Sequence, residues 1–533
     1  MNQIKIDLER IVSDIDRNIF GGYLEGLVYG GIYCPGSPLA DKDGLRSDVR
    51  ASLERMNMSN IRFPGGSFAS GYQWLDGVGP LQERPARYNL AWRSVVSNHF
   101  GTNEFIRLCR KLNIQPYLCA NGGDGDMRQA ADWVEYCNGT GETALVKLRH
   151  EHGFPEPHNV KYWGIGNEVD SPGEIGYKTP QEYARALTEF SKVMKRVDPD
   201  IKLIASAACS WEDHPLVPQF LYRATEWVER AQLMLEQAGD RIDYLAIHRY
   251  AHPYDDDPYE TYMAFAEDFN ERLSAYEGLI RAVSLERGIK HNISIAVDEW
   301  ALNRIPAGSR RNAPVSLSAS EWSSMKLTAD QGDIRHLPDR IIINLEDALV
   351  TALHFNAFIR HASSVRLANF SPMMRSMEWS SSVPHPMKVL KTPLVLQPVF
   401  YPFELYGRSC GQLALDVFWT GDTFSGTYKN RSYSGIRTLD VAATLDKSCK
   451  QLVVYVVNRS KDKTMETTIT LTSGQFTGSV KAFVINGPDI KSENTEEKPN
   501  QVIIRDTTLK ASGKSLTFTF EPHSVTTLIC GVS

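Results

Sequence analysis

The chain has 533 residues, too many for one compact core, so two or more domains are expected. Apolar residues make up 42% and charged residues 23%, an ordinary globular balance, and the formal net charge of -6 offers no basic face to a nucleic acid. The first twenty residues are charged throughout and no run of about 18 uncharged apolar residues occurs, which argues against a secretory signal and a membrane span.

The opening Ile4-Lys5-Ile6-Asp7-Leu8 alternates apolar and polar residues, and residues 1–15 are expected to lend a strand to the C-terminal part of the chain. From about residue 16 to 410, short β-rich runs alternate with helical patterns. The runs are Gly22 to Tyr29, Asn60 to Phe63, Gln115 to Ala120, Val160 to Gly166, Lys202 to Ser206, Ile242 to Ile247, Ser294 to Val297 and Ser364 to Phe370. Between them lie amphipathic stretches such as Ser47 to Met56 and Pro180 to Val197. The latter opens on Thr179-Pro180 with Glu182, a capping hydroxyl, an N-terminal proline and an acid at the positive end of the dipole. Strand–helix alternation implies a parallel sheet, and eight runs suit a closed (β/α)8 barrel. Arg304 to Asp339 is rich in Ser and Arg and reads as a long barrel loop able to cover a cleft. Beyond about residue 411 the segments become short, β-branched or aromatic and separated by polar turns, among them Gln451 to Val457 and Ser515 to Phe520. That texture predicts an all-β sandwich over residues 411–533. The eight cysteines include no Cys-x-x-Cys pair and several lie in core runs, so reduced thiols in a cytoplasmic protein are expected.

Two glutamates close apolar runs. Glu168 ends the run beginning at Val160, and Glu299 ends the run Ile293 to Val297 after Asp298. At strand ends of a parallel barrel both would face one cleft, and a pair of opposed carboxyls is the minimal equipment for cleaving a glycosidic bond. One Glu alone at a strand end is commonplace. In the enzyme reading Glu168 protonates the leaving oxygen, Asn167 beside it bonds a sugar hydroxyl, and Glu299 acts from the other sugar face. His248-Arg249-Tyr250 closes the preceding strand; Tyr250 either holds the second carboxylate in line or caps the barrel with its hydroxyl in water, and His248 is counted with the pocket residues. Glu25, in an apolar Gly-rich run, either contacts a substrate hydroxyl or pairs with Arg62. Trp74 and Trp92 either stack on sugars or pack in the core. His248-x-x-x-His252 lacks a zinc-site Glu, the acids in Gly122 to Asp126 would repel phosphate, and Asp255 to Asp257 reads as a solvated loop, so neither a metal nor another cofactor is expected.

Taken together, the pieces resemble the α-L-arabinofuranosidases of glycoside hydrolase family 51. The similarity runs from the Glu25 strand through Arg62 to Phe68 (RFPGGSF), Leu90-Ala91-Trp92, Asn98 to Phe105 (NHFGTNEF), Trp133 to Gly139 (WVEYCNG), Gly164 to Asp170 (GIGNEVD), Asp298-Glu299-Trp300 and Phe400 to Phe403 (FYPF). The resemblance implies a barrel with a C-terminal sandwich, a retaining mechanism, Glu168 as acid/base and Glu299 as nucleophile. It implies that Glu25, Asn167 and Tyr250 line the sugar pocket with Trp92 at its rim, that arabinofuranosyl oligosaccharides are the substrates, and that the chain forms homo-oligomers, as trimers or hexamers. Departures from the family pattern fall at Ser67 (usually Asn or Cys), Gly173-Glu174 (usually Trp-Gln), Ala301 (usually Asn) and Arg366 (in place of a Gln). Other furanosidase, xylosidase or endo-glucanase activities fit the same scaffold, as does a non-catalytic glycan-binding protein, though a binder has no need of paired carboxyls.

Overall fold

A computed structural model describes residues 2–25, 31–92, 94–208, 226–303, 343–376, 385–389, 394–429 and 431–533. The expected loop Arg304 to Asp339, Cys209 and the end of the first run at Gly26 to Tyr29 lie outside the described residues.

Eight parallel strands close a barrel in chain order: Gly21–Tyr23, Asn60–Phe63, Gln115–Ala120, Tyr162–Ile165, Lys202–Ala208, Tyr244–Ala251, Ser294–Leu302 and Val365–Phe370. Each pairs with the next, for example Tyr117 with Tyr162 and Ile204 with Tyr244, and the eighth returns to the first through Asn369 and Gly21. All eight expected runs are therefore strands of one sheet. Strands buried on both faces need apolar side chains throughout, which is why their runs read as continuous and not alternating. A cluster of Tyr117, Tyr162, Ile204, Tyr244, Ala246, Ala296 and Leu367 plugs the interior, so the barrel is a packed core and the chemistry is confined to its ends. Helix Pro180–Val197 begins as the sequence predicts: Thr179 Oγ1 accepts from the Glu182 amide at 3.3 Å and Glu182 Oε2 accepts from the Thr179 amide at 2.8 Å.

Most of the β-rich C-terminal part joins one nine-stranded sheet, while Thr423–Tyr428 and Arg431–Arg437 pair as a separate two-stranded sheet. The N-terminal strand Asn2–Asp14 pairs parallel with Met465–Leu471 and antiparallel with Leu413–Thr420, with register shifts that bend it. Leu516 and Phe520 near one edge share a buried cluster with Val480 and Ala482 near the other, so the sheet curls over its own core as a sandwich would. Helix Leu345–Arg360 joins this sheet to the barrel. Its Asn356 Nδ2 and Arg360 Nη1 donate to Asp440 Oδ1 at 2.7 and 2.9 Å. Among the described residues no helix is long and apolar enough to cross a membrane.

Asp440 is buried, which alone would raise its pKa, yet Arg360 and Arg459 hold it below the ordinary aspartate value. A depressed carboxyl stabilises the fold above its unfolded pKa, and that contribution is lost as pH falls through the folded value. Asp440→Ala removes the carboxylate that offsets the charge of Arg360 and accepts from Asn356. It should cost about 3 kcal/mol in denaturant unfolding near neutral pH, with the difference from wild type shrinking in acid.

Candidate active site

The C-terminal ends of the barrel strands bring the candidate residues together around Arg62. This side chain, on the second strand, is fully buried between the rings of Tyr23 and Tyr117. Its Nη1 donates to Glu299 Oε2 at 2.8 Å and its Nη2 to Asn167 Oδ1 at 2.6 Å, while Nε lies 3.6 Å from Asp298 Oδ2. The alternative in which Arg62 pairs with Glu25 is corrected here: its carboxylate partners are Glu299 and Asp298. Those charges outweigh the cost of burial and keep the guanidinium firmly protonated.

Consecutive strand residues ordinarily point to opposite faces, yet Asp298 and Glu299 both reach Arg62. A bulge in the seventh strand allows this. Ala296 pairs with Ala246 and Glu299 with His248, so three steps on one strand face two on its neighbour. Glu299 Oε1 accepts from the Tyr250 hydroxyl at 2.7 Å, so Tyr250 holds the carboxylate and does not merely cap the barrel.

Across from Glu299, the fourth strand ends at Ile165, and Gly166 and Glu168 take positive φ of 79° and 43°. The left-handed conformation costs a glutamate about 1 kcal/mol or more, strain of the kind that collects at functional sites. It aims the Glu168 carboxyl at His248, whose Nδ1 lies 2.9 Å from Glu168 Oε1 and 3.7 Å from Glu299 Oε2, with Nε2 3.3 Å from Asp298 Oδ1. Burial opposes a charge on this imidazole, but the surrounding carboxylates raise its pKa well above the ordinary value. Burial also raises Glu168, against the pull of His248. One ligand atom each from Glu168, His248 and Glu299 lies within 4.8 Å of the others, the spacing of a metal site. The donors fit a metal poorly, because an imidazolium with a carboxylate against each nitrogen has no lone pair to give.

The wall in front of Glu299 is built from backbone economy. Gly65 has φ 130°, and a Cβ there would meet Glu25 Cα at 2.6 Å; a Cβ on Gly66 would sit 3.1 Å from Glu299 Oε2. Without side chains the turn leaves room before the carboxylate. Asn167 Nδ2 is buried and has no hydrogen-bond partner among the described residues, leaving a donor beside Glu299. Glu25 Oε1 accepts from Trp92 Nε1 at 2.9 Å and from the Phe68 amide at 3.2 Å, and burial pushes its pKa up to about 7. Trp92 rides the turn between strands Arg87–Asn89 and Ser94–Val96. A cavity of about 420 Å³ lined by Phe68, Tyr72, Tyr88, Asn89, Leu90 and Asp124 opens beside this wall and does not include the carboxyl pair.

Several sequence expectations separate here. Trp74 is buried, stacked on Trp133 at 6.2 Å, and belongs to the core. Arg366 bonds Asp14 from the start of the eighth strand, at the opposite end of the barrel, so it does not replace a pocket Gln. Arg62 and His248 are buried and both bond the carboxyl pair. Tyr117, whose hydroxyl donates to Asp298 Oδ2 at 2.7 Å, and Asp298 itself were missed as site residues. Their signal was available: Asp298 precedes Glu299, and Tyr117 is a hydroxyl inside an apolar strand.

Comparison with known proteins agrees with this geometry. A family model described as the alpha-L-arabinofuranosidase 1 domain matches residues 52–271, and the alpha-L-arabinofuranosidase C-terminal domain matches residues 298–524. A probable alpha-L-arabinofuranosidase C of Aspergillus fumigatus is 32% identical over 98% of this chain and 96% of its own length. An intracellular exo-alpha-(1->5)-L-arabinofuranosidase 1 of Bacillus subtilis is 30% identical over 97% of each. Among solved structures, the alpha-L-arabinofuranosidase of Thermotoga maritima in complex with arabinose superposes with a TM-score of 0.82 at 31% identity, covering 100% of both chains. With a closed eight-stranded barrel, the carboxyl pair at its C-terminal end, and relatives matched from end to end, the chain belongs to the α-L-arabinofuranosidases of glycoside hydrolase family 51.

Proposed function

We propose that the protein removes terminal non-reducing α-L-arabinofuranosyl units from arabinose-containing glycans by double displacement with retention. The observation that carries the mechanism is the approach of Glu168, His248 and Glu299 atoms to within 4.8 Å. Retaining pairs sit about 5–5.5 Å apart, and an inverting pair needs about 6.5–9.5 Å to admit water. Relatives named for arabinofuranosidase activity over their whole length support the choice of sugar.

In the first step a Glu299 oxygen attacks the anomeric carbon while the Glu168 proton passes to the glycosidic oxygen, and the carbon–oxygen bond breaks to release the leaving alcohol. Arg62 and Tyr250, donating to the two Glu299 oxygens, fix the angle of attack. Asn167 Nδ2 donates to the hydroxyl next to the anomeric centre, and Glu25 bonds a more remote hydroxyl with Trp92 at the rim. In the second step Glu168, now ionised, takes a proton from water; the water oxygen attacks the anomeric carbon and Glu299 departs. A carboxyl raised by burial suits both duties, since it holds its proton toward neutral pH and takes it back from water. A cytoplasmic location and homo-oligomeric assembly, as trimer or hexamer, belong to the same reading. The described cysteines are free thiols, which supports the first.

Stereochemistry is the direct test. A proton NMR time course should show the released sugar first in the anomeric configuration of the substrate; the opposite anomer appearing first would overturn the double displacement.

The two carboxyls are expected to fail differently. Glu299→Ala should lose at least about 10⁴-fold on every substrate, because no glycosyl ester forms, and azide in the vacated space should yield the inverted glycosyl azide. Glu168→Ala should lose at least about 10²-fold on sugar leaving groups yet still form the ester from a dinitrophenyl arabinofuranoside, then stall for want of a base. Azide should speed its turnover with retention. A folded Glu168→Ala protein equally inactive on all substrates and unresponsive to azide would place the acid/base elsewhere.

His248 supplies a pH signature. Its bond and charge pull the Glu168 pKa down. His248→Asn removes that pull, so Glu168 should stay protonated to higher pH and the alkaline limb of the kcat/KM profile should move upward. An unmoved or lowered limb would show that His248 does not act on Glu168.

A further inference from the structure

The loop after Glu168 carries a carboxyl that the double displacement does not use. Residues 171–177 are pinned in place. The Ser171 amide donates to the Glu168 carbonyl at 2.8 Å and the Glu174 amide to the Ser171 carbonyl at 3.0 Å. Lys178 Nζ ties the loop to the Gly122 and Gly176 carbonyls at 2.6 and 2.9 Å. Gly176, with φ 73°, packs so closely on Gly123 that no side chain fits there. From the other wall Ser67 Oγ donates to Glu174 Oε1 at 2.6 Å. Both positions depart from the family pattern, and the two departures are in contact.

The anchored carboxyl keeps one oxygen for a ligand. Glu174 is half-buried, and its Oε2 has no hydrogen-bond partner among the described residues. Burial and the neighbouring carboxyls hold its pKa well above the ordinary range; of these Glu168 acts on it most strongly, ahead of Glu299 and Glu25. Its loop leaves the barrel directly after Glu168 and is tied back to the Glu168 carbonyl through Ser171, so it stands on the side of the proton donor. The donor faces the glycosidic oxygen, so a group on that side meets the leaving sugar and not the arabinofuranosyl ring.

We propose that Glu174, anchored by Ser67, is a specificity-determining residue on the leaving-group side, where its free Oε2 binds a hydroxyl of the departing sugar. The inference rests on the arabinofuranosidase reading above. It makes the enzyme favour hydroxylated glycan leaving groups over aryl ones, which offer nothing to that oxygen. A carboxamide matches a carboxyl in shape and also presents an oxygen to a hydroxyl, so glutamine is the conservative replacement.

The test is the ratio of kcat/KM on an oligosaccharide to that on a 4-nitrophenyl α-L-arabinofuranoside, the oligosaccharide being whichever of an arabinotriose and an arabinosyl-xylotriose the wild-type chain cleaves faster. Glu174→Ala should lower the ratio about tenfold while leaving aryl kcat/KM within about threefold, the effect of one hydrogen bond made to the leaving group. Glu174→Gln should restore the ratio to within about threefold of wild type, and Ser67→Ala, which frees the carboxyl to wander, should fall between. A Glu174→Ala ratio within about twofold of wild type, an equal loss on both substrates, or a glutamine variant no better than alanine would each overturn the assignment. A wild-type chain inactive on the aryl arabinofuranoside would instead overturn the reading on which it rests.

Discussion

Burying a guanidinium costs several kcal/mol unless its charge and its donors are matched, and Arg62 sits at the centre of this molecule with no exposure at all. Its matching organises the site. One nitrogen goes to Glu299 on the seventh strand, another to Asn167 after the fourth, and Asp298 stands close to the third. Tyr23 and Tyr117 cover its faces from the first and third strands. Residues hundreds of positions apart are thereby held to one geometry by a single rigid fork. A lysine, a point charge on a flexible stem, would lack the second directed donor.

The irregularities of the barrel serve the same end. A regular seventh strand would turn either Asp298 or Glu299 away from the interior; the bulge presents both. A regular exit from the fourth strand would carry Glu168 past the cleft, whereas left-handed turns at Gly166 and Glu168 fold it back over the barrel mouth. The lower barrel, filled by Tyr117, Tyr162, Ile204, Tyr244 and Leu367, provides the rigid floor that holds these strained ends.

The barrel was legible because its signal is local: each strand is buried on both faces and announces itself as an apolar run. The strand ends were less so. The first strand stops at Tyr23, and the seventh runs on to Leu302, because pairing with neighbours, not composition, decides where a ladder ends. The carboxyl pair was visible from the positions of Glu168 and Glu299 at run ends. The partnership of Arg62 was not, since a buried arginine announces that it needs an acid without saying which one, and Glu25, Asp298 and Glu299 were all candidates. Arg366 shows the converse. Its place on the last strand suggested the pocket, but it sits at the strand's start, and in a parallel barrel one end of a strand is a whole layer away from the other.

Counting charges explains how the pocket divides its protons. The carboxyls of Glu25, Glu168, Glu174, Asp298 and Glu299 share the site with the cations Arg62 and His248. Asp298, close to both cations and bonded by Tyr117, keeps its charge: burial would raise it, but its neighbours draw its pKa below the ordinary value. Glu25 and Glu174 lie outside the reach of direct bonds from either cation, and they carry the cost of burial instead, the first with a pKa of about 7 and the second well above the usual range. Glu168 falls between, raised by burial and restrained by His248. The gradient from ionised floor to protonated wall follows from where the two cations are placed. In the proposed double displacement it favours a proton on Glu168, the carboxyl assigned both to give and to take one.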